Sequence, residues 1–258
     1  MGFEFLFKNH FNTSTMANVN SSTISNILNR EKTLQYITSG FNNDATTLTL
    51  TITFAQTQTV SRIALLNHNL RGFQIYYNGV TANTFALTTT SDTTTANYSS
   101  NSATSKYFTV PTTSVDSISI DMRTTVVANS EKAIGYLYIG TEHMQFDRDP
   151  SAKDYKPVID PEQISHKLSD GGTRLHTLSE KYATKISFNH ISESFRDEFK
   201  TVYDLRDPFW FCPFGTTTAW DGVFFECIWE GDFNFYKFSD NATAAGFSGS
   251  MSLKETPN

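Results

Sequence analysis

Two carboxylates four positions apart, Glu226 and Glu230, lie in an aromatic-rich run and are the nearest thing in this chain to a general acid/base pair. Such a pair cleaves glycosidic bonds when its members flank the bond at the right separation, which spacing along the chain does not define. His176 and His190 could stand on adjacent strands. A nucleophile–base pair would also need a third, orienting group, and none can be placed. Asp147 and Asp149 have no further carboxylate at ligand spacing and read as part of a solvated linker. The other histidines, His10, His68, His143 and His166, are scattered. HExxH, GxSxG, Walker and dinucleotide-fingerprint patterns are absent. The reading is of a protein that is not an enzyme, with no catalytic residue, cofactor or metal to assign.

Two clusters could bind rather than react. Asn67-His68-Asn69-Leu70-Arg71 ends a strand, and its amides, imidazole and guanidinium could hydrogen-bond a glycan or a partner from a loop rim. The alternative is that Asn67, His68 and Asn69 satisfy backbone groups of a turn. Further on, Phe209-Trp210-Phe211, Phe224-Phe225, Trp229 and Phe235 put rings on both faces of their strands. One small core absorbs one face, so Phe209, Trp210, Phe211, Phe224, Trp229 and Phe235 are expected at a subunit interface.

The elements that must carry these residues are strands. Leu48, Leu50, Ile52 and Phe54 alternate with threonines, and Val60–Asn67 and Phe73–Tyr77 follow closely. Period two with β-branched residues on the wet face marks half-buried strands. Ile118, Ile120 and Met122 repeat the pattern. Ala133–Ile139 is apolar on both faces and needs cover on both. Residues 3–7 form a short strand, residues 9–30 a long loop, and the Thr/Ser/Asn tract 88–105 an exposed connection. Beyond a Pro-containing charged stretch, strands 163–168, 173–178 and 182–188 precede one helix. Ser192 is its N-cap and Phe195, Phe199, Val202 and Leu205 its apolar stripe. Four more strands close the chain. The fold class expected is mainly β: an N-terminal jelly-roll β-sandwich, residues 1–146, a linker, 147–161, and a C-terminal β-sandwich with one flanking α-helix, 162–258.

The 258 residues carry a net charge of −6 and only 18% charged side chains, so no basic stripe exists to neutralise phosphates and no nucleic-acid partner is expected. No apolar run is long enough for a membrane span, and the first residues lack the pattern of a signal peptide. Cys212 and Cys227 lie among aromatics and read as buried thiols, with a bridge between facing strands as the alternative.

Two stretches resemble known families. Thr33–Gly40, the alternating strand, Arg62–Leu70 with its Leu65-Leu66-Asn67-His68-Asn69-Leu70 segment, and Phe73–Tyr77 resemble the galactose-binding-like (discoidin-type) jelly roll, in the form found in tail proteins of tailed bacteriophages. The order Ser169–Gly172, Ile186–Phe188, helix, Pro208–Phe211, Ile228–Gly231, Ser252–Glu255 is similar to minor tail and tail-tip (baseplate) proteins, whose tail-tube-like domain builds rings. These resemblances imply a structural virion protein assembled in the host cytoplasm. It would form a trimeric or hexameric ring and link tube, hub or fibre proteins. A carbohydrate-binding module or adhesin contacting a host surface glycan is the alternative.

Overall fold

Leu48, Leu50, Ile52 and Phe54 do point one way, into a core, but the strand that carries them does not stop at Phe54. In the computed structural model, which describes residues 2–17, 24–29, 34–79, 84–87, 102, 104–147, 150, 153–213, 224–239 and 246–256, this strand runs unbroken from Leu48 to His68. The two strands expected there are one.

In chain order the strands are β1 (Glu4–Leu6), β2 (Ser14–Ala17), β3 (Tyr36–Ile37), β4 (Leu48–His68), β5 (Leu70–Gly79), β6 (Thr84–Leu87), β7 (Lys106–Thr125), β8 (Ala133–Gly140), β9 (Glu142–Gln145), β10 (Tyr155–Lys167), β11 (Thr173–Ile191), β12 (Phe209–Cys212), β13 (Phe225–Ser239) and β14 (Gly246–Glu255). One helix, α1 (Glu193–Leu205), joins β11 to β12. Short 3-10 turns at His10–Thr13 and Ile24–Leu28 occupy part of the expected N-terminal loop. Most of the 88–105 tract lies outside the described residues.

Among the described residues the chain is mainly β, with two antiparallel sheets and a single α-helix. The first sheet runs β3-β8-β4-β7-β5-β6, with β2 also pairing β4. Strands β4 and β7 pair on both sides of a register break between Thr53 and Gln58. A break of that kind lets a long strand turn a corner and serve both walls of a sandwich. Inside lies the first core, with Leu50, Ile52, Ile63, Phe73, Ile120 and Leu137 among its fully buried members.

The second sheet runs β10-β11-β14-β13-β12-β1-β9. Here the expected boundaries need correction. Strand β1 pairs β12 on one side and β9 on the other, so Glu4–Leu6 and Glu142–Gln145 belong to the second sheet, not the first domain. Residues 155–161, expected to be linker, are the first half of β10, in register with β11. Three alternating residues announce a strand but carry no information about its partner, and the prolines at 157 and 161 are tolerated because β10 is an edge.

Helix α1 starts as its sequence requires: Ser192 Oγ accepts from the Phe195 amide at 3.1 Å. Phe195, Phe199, Val202 and Tyr203 are buried against the second sheet. Leu205, placed on the same stripe, is 47% exposed because the helix ends there, with Arg206 in the left-handed region (φ 55°) ahead of Pro208. The second core is unusually aromatic. Phe199 stacks on Phe235 (5.5 Å, 21°) and meets Phe5 and Phe146 edge-on.

A third cluster joins the two sheets. Leu6 of β1, Ala64 of β4, Tyr136 and Tyr138 of β8, Trp210 and Cys212 of β12, and Phe224 pack together in a seam. All eight residues of β8 are buried, as expected for a strand covered on both faces. Its Leu137 and Ile139 enter the first core while Tyr136 and Tyr138 enter the seam.

Candidate contact surfaces

The aromatic run resolves against this seam. Strand β12 sends Phe209 and Phe211 into the second core and Trp210 and Cys212 into the seam. Trp210 stacks on Phe224 at 4.6 Å and on Tyr136 at 5.2 Å, and is 1% exposed. Phe209, Trp210, Phe211 and Phe224 are thus enclosed within one chain, and their assignment to a subunit interface is corrected. Two-faced strands need two covers, and the first sheet supplies the second one. Trp229 and Phe235 are half-buried on the second core, under α1.

Buried charge crosses the same seam. Arg62 of β4 donates from Nε to Glu4 Oε2 (2.9 Å) and from Nη2 to Glu4 Oε1 (3.2 Å), and it also pairs with Glu142. Tyr107 Oη donates to Glu4 Oε2 at 2.6 Å. Burial works against the Arg62 cation, but hydrogen bonding and charge attraction from Glu4, joined by Tyr107 and Glu142, hold its pKa above the ordinary value. Burial, with the charges of Cys212 and Glu4, drives the Tyr107 hydroxyl well up. Each member has a partner, so the cluster fixes how β1, β4 and β9 meet.

The Asn67–Arg71 segment links β4 to β5. Asn67 adopts φ 51° and its carbonyl accepts from Gln35 Nε2 (3.0 Å). His68 is 2% exposed, and its Nδ1 accepts from the Leu70 amide at 3.1 Å. Burial, aided by the charge of Lys106, lowers its pKa to about 4, so the ring is neutral. Asn69 Oδ1 accepts from the Ala133 amide (2.8 Å) and Nδ2 donates to the Glu131 carbonyl (2.7 Å). His68 and Asn69 therefore serve the backbone. Arg71 is exposed, beside the Thr125–Val127 turn, where Val126 and Val127 are exposed as well. That turn is braced by Asp44, which accepts from the Thr125 amide and hydroxyl and from the Asn129 amide.

The candidate reactive pairs come apart. Glu226 and Glu230 share β13 four positions apart, which sets their backbones about 13 Å apart, wider than the carboxylate spacing of either glycosidase geometry. His176 and His190 lie on one strand, β11, not on neighbours, on the order of 45 Å apart. Asp149 lies outside the described residues. The two cysteines are not joined in a disulfide and both are buried, Cys212 in the seam and Cys227 in the second core, where burial pushes its thiol well up. Among the described residues no three His, Cys, Asp or Glu gather so as to hold a metal ion, and no helix is long and apolar enough to cross a membrane.

Sequence reasoning missed one surface. Strand β10 pairs with β11 along its whole length, from Tyr155 opposite Ile186 to Lys167 opposite Thr173. Strand β14 accompanies β11 only as far as Ala183. Beyond it the two strands project as a ribbon some 30 Å long, closed by a turn in which the Leu168 amide donates to the Gly172 carbonyl (2.8 Å) and Gly171 takes φ +83°. Ile159 stands opposite Tyr182, whose ring stacks on Phe225 of the second core, so Ile159 points to the helix side. Period two along β10 brings Ser165, and Leu175 opposite it, to that side too. Ile159 is 56% and Leu175 65% exposed, and Leu178, at a bulge, 57%. Val158, Ile164 and Leu168 are exposed as well.

No family model matches this chain, and no curated protein matches it. Among solved structures it is similar to carbohydrate-binding modules. One is CpGH89CBM32-4 of Clostridium perfringens, in complex with GlcNAc-alpha-1,4-galactose (TM-score 0.42, 16% identity, 52% of this chain and 94% of that one). Another is the family 32 module of Clostridium perfringens NanJ, in complex with galactose (TM-score 0.41, 14% identity, 53% and 98%). A third is chitosan-binding module 1 of a chitosanase/glucanase from Paenibacillus sp. IK-5 (TM-score 0.39, 9% identity, 55% and 100%).

Proposed function

We propose that this chain is a structural assembly protein of the phage tail-tip kind, held in a virion among copies of itself and neighbouring tail proteins. The observation that carries the reading is the projecting β10–β11 ribbon. A lone two-stranded ribbon is marginal in water, and this one exposes Ile159, Leu175 and Leu178 together with unpaired strand edges. A neighbour that covers it would offset both defects. The seam would then hold the first domain at a set angle to the assembled part.

Sedimentation velocity of the full chain over a range of concentrations tests this. The expected result is a closed oligomer that reverts to monomer with Ile159→Asp and Leu175→Asp together, with an unaltered far-UV spectrum. A monomer at every concentration, even with tail-tube protein added, would sink the reading, as would an oligomer indifferent to both substitutions.

A second reading, glycan contact through the first domain, has one observation in its favour. Arg71, Val126 and Val127 place a cation and apolar surface at one exposed rim. A glycan array whose signal disappears with Arg71→Ala would support it, and an array with no signal would remove it.

A further inference from the structure

On the face of the second sheet away from α1, strand β13 departs from its partner. Glu230 pairs with Ser252 and Asn234 with Ser250, so residues 231–233 are looped out of register. Gly231 takes φ +80° at the turn of this bulge. Gly249 lies directly beneath: a Cβ there would sit 2.2 Å from the Asn234 carbonyl oxygen, so only glycine lets the bulged strand approach β14 this closely.

The bulge walls a cleft of about 410 Å³, within the size range of small-molecule sites. Its floor follows from register. Lys185 on β11, Ser252 on β14 and Glu230 on β13 form one cross-strand row, and Ser250 and Asn234 belong to the next. Neighbours in sequence, Ile186, Met251 and Leu253, point into the second core, so these five side chains point outward. Asp232 adds a second carboxylate. The next outward residue on β13, Tyr236, is 60% exposed and offers a ring beside the row.

The chemistry of this lining narrows the ligand. Two carboxylates against one lysine disfavour phosphates and other anions. Strand β14 is hydrogen-bonded on both sides, so no backbone edge is open to an added peptide strand. What remains is a dense set of side-chain donors and acceptors on short stems: carboxylates that accept, an ammonium that donates, and serine and amide groups that do both. Vicinal hydroxyls of a sugar ring, each donor and acceptor at once, complement that set, and the apolar face of the ring complements Tyr236. We infer that the cleft between Lys185, Glu230 and Ser252 is a binding site for a neutral hexose unit of a glycan. It is separate from the ribbon and from the Arg71 rim.

Saturation-transfer NMR on the full chain, with methyl galactoside, methyl glucoside and N-acetylglucosamine as probes, tests the inference. At least one probe should receive saturation with millimolar affinity. Ser252→Tyr, which fills the cleft from an outward position, should weaken that binding at least tenfold. Glu230→Gln, which keeps the shape, should weaken it about threefold or more, and Arg71→Ala should leave it unchanged. No transfer to any of the three probes would overturn the site. So would transfer undiminished by Ser252→Tyr in a protein with unchanged thermal unfolding, or transfer lost with Arg71→Ala instead.

Discussion

Arg62 of the first sheet and Glu4 of the second are joined at 2.9 Å, Nε to Oε2, with side chains 6% and 1% exposed. This pair ties the two sheets together where solvent does not reach. Taking both charges out of water is expensive, and removing one partner leaves the other buried with only part of its compensation. Glu4→Ala should therefore lower unfolding free energy by about 3–5 kcal/mol. The double change Glu4→Leu with Arg62→Met should cost much less than the sum of the single ones. Urea denaturation of the four members of this cycle measures the coupling, and simple additivity would contradict the geometry.

Trp210 predicts how cooperative the chain is. Its indole fills the seam between Tyr136 and Phe224. Trp210→Ala should cost about 3–5 kcal/mol and should split a single calorimetric transition into two, because the seam is what couples the cores. One unsplit transition would mean that the sheets are coupled elsewhere.

Asn69 and Arg71, two residues apart, should behave oppositely. The Asn69 amide satisfies backbone groups of Glu131 and Ala133, so Asn69→Ala should destabilise by about 1–3 kcal/mol. Arg71 is exposed, and Arg71→Ala should change thermal stability by less than about 0.5 kcal/mol. Equal effects would mean that both residues do the same work.

His68 gives the chain an acid-sensitive element. Burial holds its folded pKa near 4, below the ordinary 6.5. Above pH 6.5 both states are neutral and nothing is lost. As pH falls from 6.5 towards 4, the unfolded ring takes up a proton that the folded one refuses, so stability drops, by about 3 kcal/mol in total. His10 and His143, also lowered by burial, add in the same direction. A His68→Asn variant, which keeps an acceptor near the Leu70 amide, should show a shallower fall across this window in pH-dependent denaturation. An unchanged slope would place the proton uptake on other groups.

The elements were more legible than their partners. Alternation in Leu48–Phe54 gives the inward face of β4, and Ser192 with Phe195, Phe199 and Val202 gives α1, because caps and periodicity are local properties. Phe209-Trp210-Phe211 puts rings on both faces of its strand, which from the sequence alone points to a subunit interface. That the second cover is Tyr136 and Tyr138 of the same chain, and no partner subunit, depends on contacts some seventy residues away that leave no local trace. For the same reason the short β1 betrays neither its neighbours nor its ion pair. The ribbon is the converse case. The alternation in 163–168 and 173–178 reads as ordinary strand, and nothing local states that β14 stops short at Ala183.

The place of β1 between β9 and β12 has a consequence for biosynthesis. Glu4 and Phe5 find their final neighbours, Cys212 and Phe211, only after roughly 200 more residues have been made, about 10–40 s at ordinary elongation rates. Over that interval Phe3, Phe5 and Leu6 wait without their final cover, while the first sheet can already close on itself. The second sheet then closes late, by capture of a strand made roughly 200 residues earlier, and slowing that capture should leave the first core formed while the second is still open.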